Sequence, residues 1–215
     1  MRMADRFRGF LPVVVDLETG GFDPQTNPIL EMAAVHVRFE GPRLVPAHRW
    51  EAAVQPFPGG KLDPASLKVT GIDPDDPARN ALREADALRQ MFGGIRRALK
   101  EEGCHRAIMV AHNAAFDQQF LQQAVMRSRA RRNPFHPFSF IDTASLAAVA
   151  YGHTVLSEAC SRADIEFDAN RAHSALYDAE RTAELFCAVV NTWDRAGLSA
   201  IPVAGDGADQ VITGS

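Results

Sequence analysis

The order of apolar patterns along the chain predicts an α/β fold with a mixed central sheet flanked by helices. Two observations carry this. Three strand-like runs follow one another near the start, which suits an antiparallel meander. After them, helical periodicities alternate with short β-branched runs, which suits strands joined by helical crossovers. Residues 12–17 open the set as a buried strand, because Pro12-Val13-Val14-Val15 is a continuous apolar run. Gly20-Gly21-Phe22-Asp23-Pro24 is a turn by its Gly and Pro content. Residues 29–39 and 48–54 supply the second and third strands.

Asp63-Pro64 predicts the start of a short helix, with Asp as N-cap and Pro in the first helical position, ending near Gly71. Leu88, Met91, Phe92, Ile95 and Leu99 recur at helical spacing over 84–102, with Gly103 as the stop. Arg106–Ala111 predicts a strand, and a helix follows over about 114–130. Two prolines predict a loop over Asn133–Phe138. Phe140-Ile141 is a short strand before a helix over 143–151, and 155–164 is another helix. Leu176, Ala179, Ala183, Phe186 and Val190 share one side of a long helix over 174–195, which Ser174 can cap. The Gly-, Ala- and Asp-rich segment 197–215 is expected to be loose around an ordered core of about 5–195.

Composition sets limits. A chain of 215 residues with 46% hydrophobic content suits one soluble domain, 1–215, that buries roughly 70% of its unfolded surface. No apolar stretch is long enough to span a bilayer, and the start, Met1 to Arg8, lacks a hydrophobic signal segment; a cytoplasmic protein is expected. Cys104, Cys160 and Cys187 are scattered, as reduced thiols of a cytosol would be. The net charge of −4 announces no nucleic-acid partner, but arginines and a lysine cluster at Arg2, Arg6 and Arg8, at Arg96, Arg97 and Lys100, and at Arg127, Arg129, Arg131 and Arg132. Such patches hold phosphates or simply face solvent.

The chemistry is in the acids. Strand side chains alternate, so Asp16 and Glu18 point the same way from the end of the first strand. Two like charges on one face are tolerable when a hard divalent cation lies between them. His112-Asn113-Ala114-Ala115-Phe116-Asp117 falls where a strand becomes a helix, the place where open α/β sheets gather ligands. His173-Ser174-Ala175-Leu176-Tyr177-Asp178 puts a histidine on a loop and an acid in the first turns of a helix. By their order and spacing, these three motifs resemble the DEDDh 3′→5′ exonuclease family. A closer likeness, to the branch that acts on RNA, runs through Asp5–Phe10, Gly71–Pro74, Arg106–Asn113, Arg132–Phe138 and Ala172–Asp178, and covers about residues 5 to 195.

That resemblance implies a ribonuclease H-like fold and an Mg²⁺-dependent 3′→5′ exoribonuclease. Its substrates would be the 3′ ends of tRNA and rRNA precursors, with single-stranded DNA 3′ ends as a further substrate and nucleoside 5′-monophosphates as products. Phosphodiester hydrolysis needs an activated water, a neutralised phosphate and a stabilised leaving oxygen, and two divalent ions about 4 Å apart serve all three. By the resemblance, Asp16, Glu18, Asp117 and Asp178 hold two Mg²⁺ ions, with Mn²⁺ as an open alternative, and His173 is the general base. An imidazole ordinarily titrates near pH 6.5, so it can take a proton from the attacking water at neutral pH. His112 is given a structural role.

Phe22, Phe116 and Phe138 match positions that sandwich the terminal nucleotides, while Arg6, Arg8, Lys100, Arg106, Arg131 and Arg132 match an RNA-binding patch. In such relatives one subunit offers the patch to the active site of the other, so a homodimer is implied. Two positions depart from the pattern: Val69 stands where a phenylalanine is expected and Ala65 where a glutamate is expected. Valine cannot stack as an aromatic ring does, so an altered terminal-base selectivity is expected. Two alternatives share these motifs: a DEDDh exonuclease acting on DNA in repair or proofreading, and a catalytically silent nucleic-acid-binding module. The retained acids speak against the second, because clustered negative charge weakens binding to phosphates.

Overall fold

The computed structural model describes residues 2–198; the expected loose tail lies, from residue 199, outside the described residues. Strand β1 (Phe10–Thr19) pairs antiparallel with β2 (Ile29–Glu40), and β2 with β3 (Arg43–Ala53). On its other side β1 pairs in parallel with β4 (Arg106–Ala111), and β4 in parallel with β5 (Phe135–Asp142). The sheet order is therefore β3-β2-β1-β4-β5, the mixed sheet the sequence predicts. The central position of β1 explains its composition: Leu11, Val13, Val14 and Val15 are fully buried, since strands covered on both faces carry unbroken apolar runs.

The helices are α1 (Met3–Arg6), α2 (Pro64–Thr70), α3 (Glu84–Glu101), α4 (Ala114–Ser128), α5 (Thr143–Tyr151), α6 (Leu156–Arg162) and α7 (Ala175–Arg195), with a 3₁₀ turn at Pro77–Arg79. Helix α2 is bounded as its sequence dictates: Asp63 accepts from the Ala65 N–H at 2.9 Å, and Gly71 closes it in the left-handed conformation, φ 69°. Helix α7 lies against β1, β2 and β3, while α3 and α4 pack on β1, β2, β4 and β5. Phe92, Ile95, Phe120 and Phe186 carry these helices into one core with β1 and β2. Arg127 ties α4 to the start of α3 through a two-pronged ion pair with Glu84, whose closest approach is 2.6 Å. All three cysteines are free, and burial pushes the Cys160 and Cys187 thiols up to about 12. Among the described residues no helix is long and apolar enough to cross a membrane.

Two expectations are corrected. The prolines predict a loop over Asn133–Phe138, but the chain enters β5 at Phe135. Strand β5 is the sheet edge, where a residue without an N–H, such as Pro137, removes no ladder bond that a neighbour needs. Ser174 does occupy the N-cap position of α7, but its side chain makes no capping bond; the first helical N–H, that of Ala175, instead reaches Glu31 Oε2 on β2 at 3.4 Å. A residue the sequence did not single out, Asp142, joins two helices. It caps α5 through the Ser145 N–H at 3.0 Å and accepts from the Asn113 and Ala114 N–H groups at 2.9 and 3.2 Å, where α4 begins. Burial opposes its charge, but a bond from the Ser145 hydroxyl, together with these N–H bonds, outweighs it and holds the carboxyl below its ordinary value. Asp142→Ala should therefore cost about 0.5–2 kcal/mol, the usual range for a lost N-cap. A urea titration should show a lower midpoint with an unchanged slope.

Candidate active site

Strand β1 ends where the parallel half of the sheet meets the antiparallel half, and the acids gather there. Asp16 and Glu18 leave β1 on one face, opposite Ala33 and Glu31 of β2. The register shifts between Glu18 and Thr19, a local irregularity of the kind that re-aims side chains beside active sites. Helix α4 starts at Asn113, held in the left-handed region at φ 67°, and delivers Asp117 in its first turn. Asp117 is buried, and its Oδ1 accepts from the Leu17 N–H at 3.1 Å, which fixes it beside Asp16. Helix α7 delivers Asp178 in its first turn, and Asp178 Oδ2 accepts from the His173 N–H at 2.9 Å. His173 itself is exposed and left-handed, φ 64°, a backbone strain that a bulky side chain bears only where its surroundings fix it.

The electrostatics show how closely the acids meet. Asp16 keeps some surface open to solvent, yet low-dielectric surroundings raise it well above the ordinary carboxylate range, and Asp117, Glu18, Asp178 and Glu31 push it further. Burial, then Asp178, Glu31 and Asp117, push Glu18 up to about 8. Asp117 and Asp178 are raised as well, in both cases mainly by burial. Glu18, His173 and Asp178 each offer a ligand atom within 4.8 Å of the others. Asp178 Oδ1 is buried without a hydrogen-bond partner. An orphaned anionic oxygen inside a ring of raised carboxylates is what a divalent cation would satisfy, so the donor set fits a hard oxygen-binding ion.

The remaining predicted residues fall in three places. Phe22, Phe116 and His173 line one cleft of about 330 Å³ together with Glu18, Ala65 and Val69. The Phe22 and Phe116 rings meet edge-on with centroids 6.3 Å apart, and Phe22 is 79% exposed. Phe138 is as open, at 75%, and sits on β5 against His136, outside that lining. The basic residues lie toward the other end of the sheet. Arg106 pairs with Phe10 at the start of β1, and the six to eight residues from Phe10 to Asp16 and Glu18 span about 20–26 Å of strand. Arg8 is exposed over the Phe10 ring, and Lys100, Arg131 and Arg132 are exposed. Arg6 is mostly covered and holds Asp194 at 3.0 Å.

His112 has the structural place expected of it. Its Nε2 donates to the Thr154 carbonyl at 2.7 Å, and Nδ1 lies 3.0 Å from the Thr143 hydroxyl. Glu31 is the neighbour that sequence reasoning missed. A lone carboxylate inside the apolar run Ile29-Leu30-Glu31-Met32-Ala33-Ala34-Val35 is the signal that could have found it.

Comparison with known proteins agrees with this geometry. The RNase T exonuclease family matches residues 13–186. A ribonuclease T of Hahella chejuensis is 55% identical over 196 residues, covering 91% of this chain and 90% of its own length. A ribonuclease T of Escherichia coli O9:H4 is 51% identical over 203 residues, 94% of each chain. Among solved structures, E. coli exonuclease I in complex with a dT13 oligonucleotide superposes with a TM-score of 0.66 at 18% identity, over 87% of this chain and 42% of that one. A 3′-exonuclease solved for recognition of a histone mRNA stem-loop superposes at 0.64 with 17% identity, over 87% and 64%. These two show the shared fold.

Proton binding to the acids gives a measurable consequence. Glu18 ordinarily titrates at 4.5 and is raised to about 8 in the native state, so between those values the native protein binds more protons than the unfolded one. Metal-free protein should lose thermal stability as pH rises from about 5 to 8, and Mg²⁺ should raise the melting temperature more at pH 8 than at pH 5. A scanning calorimetry series with EDTA and with Mg²⁺ checks both signs. With the acids, the histidine and these relatives in place, the chain belongs to the RNase T family, exonucleases of the DEDDh group.

Proposed function

We propose that this 3′→5′ exoribonuclease trims the 3′ ends of structured RNA, in tRNA 3′-end turnover and in maturation of tRNA and rRNA precursors, and releases nucleoside 5′-monophosphates. The observation that carries the hydrolytic reading is Asp178 Oδ1, buried and unpartnered within ligand reach of Glu18 and His173. Asp16, Glu18, Asp117 and Asp178 would hold two Mg²⁺ ions, which when bound supply charge neutralisation and water activation. Mn²⁺ has the same preference for oxygen donors and is the natural substitute.

In this mechanism His173 accepts a proton at a ring nitrogen from the water that attacks the terminal phosphorus. The bond to the 3′ oxygen of the penultimate nucleotide breaks, and that oxygen leaves. The His173 N–H to Asp178 Oδ2 bond holds the loop so that the imidazole faces the cleft. Phe22 and Phe116 stack on the terminal base, a contact that tolerates many sequences, and the open Phe138 ring grips the strand further along. Arg8, Lys100, Arg106, Arg131 and Arg132 bind phosphates at the other end of the sheet, and Arg6 braces that segment through Asp194. Because these cations stand far from the acids of their own chain, a homodimer in which each subunit grips RNA for its partner's cleft is the assembly this reading requires.

His173→Ala should lower kcat by about 10²–10⁴-fold, the usual contribution of a general base, and leave RNA affinity in EDTA nearly unchanged. Release of mononucleotides from a 3′-labelled tRNA-like stem with a short overhang measures the first, and filter binding the second; near-normal turnover would remove His173 from the mechanism. Matched DNA in the same assay separates an RNA enzyme from a DNA enzyme. Val69 lines the base cleft, so Val69→Phe adds a ring where this chain has an aliphatic group. The ratio of rates on C-ended and A-ended oligonucleotides should then shift several-fold, and an unchanged ratio would place Val69 away from the terminal base.

A further inference from the structure

A second cavity of about 330 Å³ opens between β2, β3 and α3, away from the acids. Strand alternation sends Arg49 of β3 to Glu180 on α7, while His48 and Trp50 turn to the α3 side. His36 sits in the register break between Val35 and Val37 of β2 and joins them. Arg97 and Glu101 face them from α3, one turn apart, and Gly94 leaves room between. His36 is held below its ordinary value by burial and by His48, with Glu101 pulling the other way, so the three side chains lie near one another at the cavity.

None of His36, His48, Arg97 and Glu101 makes a side-chain hydrogen bond or ion pair among the described residues. Four unpaired polar groups around an aromatic wall form a site with donors and acceptors to offer. The volume lies at the lower end of small-molecule sites, about 300–1,000 Å³. Trp50 lines the cavity, and an indole can stack on a base. Arg97 offers a fork that fits phosphate oxygens. An ionised Glu101 only accepts, and guanine alone presents two neighbouring N–H donors on its pairing edge to a carboxylate.

We propose that this cavity is a second nucleotide-binding site, separate from the catalytic cleft, which takes an unpaired guanine nucleotide with its base on Trp50, its pairing edge at Glu101 and its phosphate at Arg97. The imidazoles of His36 and His48 are within the same cavity and serve the ribose hydroxyls. The occupant is either free guanosine monophosphate or an unstacked guanosine in the body of an RNA, and the two present the same chemistry.

The chain has two tryptophans, Trp50 and Trp193, so Trp193→Phe leaves Trp50 as the sole indole reporter. Its fluorescence is titrated in EDTA with GMP, AMP, inorganic phosphate, and RNA hairpins blocked at the 3′ end that carry an unpaired G or A in the loop. Saturable quenching by GMP, by the G-loop hairpin or by both is expected, with the adenine counterparts weaker. Arg97→Ala and Glu101→Gln, both at exposed positions, should each weaken it about tenfold, the loss expected for one charge-assisted hydrogen bond. Quenching by GMP points to the free nucleotide as occupant, and quenching by the hairpin alone points to RNA. The proposal is overturned by no saturable response to either guanine ligand, by an equal response to inorganic phosphate, or by quenching that both variants leave intact. The measurement needs no turnover, so its failure leaves the exoribonuclease reading standing.

Discussion

Mutual repulsion among carboxylates held in a low-dielectric pocket is the constraint around which the molecule is arranged. Asp16, Glu18, Asp117 and Asp178 come from one strand and two helices, with Glu31 of β2 beside them, and every one is raised by burial. Such a cluster opposes folding unless the surrounding scaffold is strong enough to hold it. The strength comes from the doubly covered strand β1, from α7 lying across three strands, and from backbone N–H groups given to the acids by Leu17 and His173. These two bonds stabilise charge without supplying any. They leave Asp178 Oδ1 unsatisfied, a demand that a cation would meet.

Much of this was legible in the residues. The unbroken Val13-Val14-Val15 run announced a central strand, and Asp63-Pro64 with Gly71 marked both ends of α2. The acidic motifs were legible because each falls at the end of an element, where a side chain can converge with others from distant sequence. What escaped the sequence was set by tertiary placement. Pro137 argued for a loop until β5 proved to be an edge strand, and whether a strand is an edge is a property of the assembled sheet. Ser174 had the right chemistry for a cap, but the helix N-terminus met Glu31 from another strand instead. Asp142 joins two helices whose closeness no local pattern encodes.

Aliphatic and aromatic side chains share the cleft beside the acids. Val69 and Ala65 line the same cleft as Phe22 and Phe116, so its lining is part aliphatic and part aromatic. Asp117 is buried beside Asp16, while the Phe22 ring of the neighbouring cleft is open to solvent. Helix α2, which carries Val69 and Ala65, is a short element with its own cap and stop, so a change at its surface need not disturb the acids.

Both borders of the sheet carry an imino acid: Pro46 lies in β3 and Pro137 in β5. A proline has no N–H to give an incoming backbone, so neither border offers a full ladder to a strand from another molecule. Growth of the sheet from chain to chain is thereby discouraged at each rim. A sheet whose central strands are rich in β-branched residues is thus blunted at its margins.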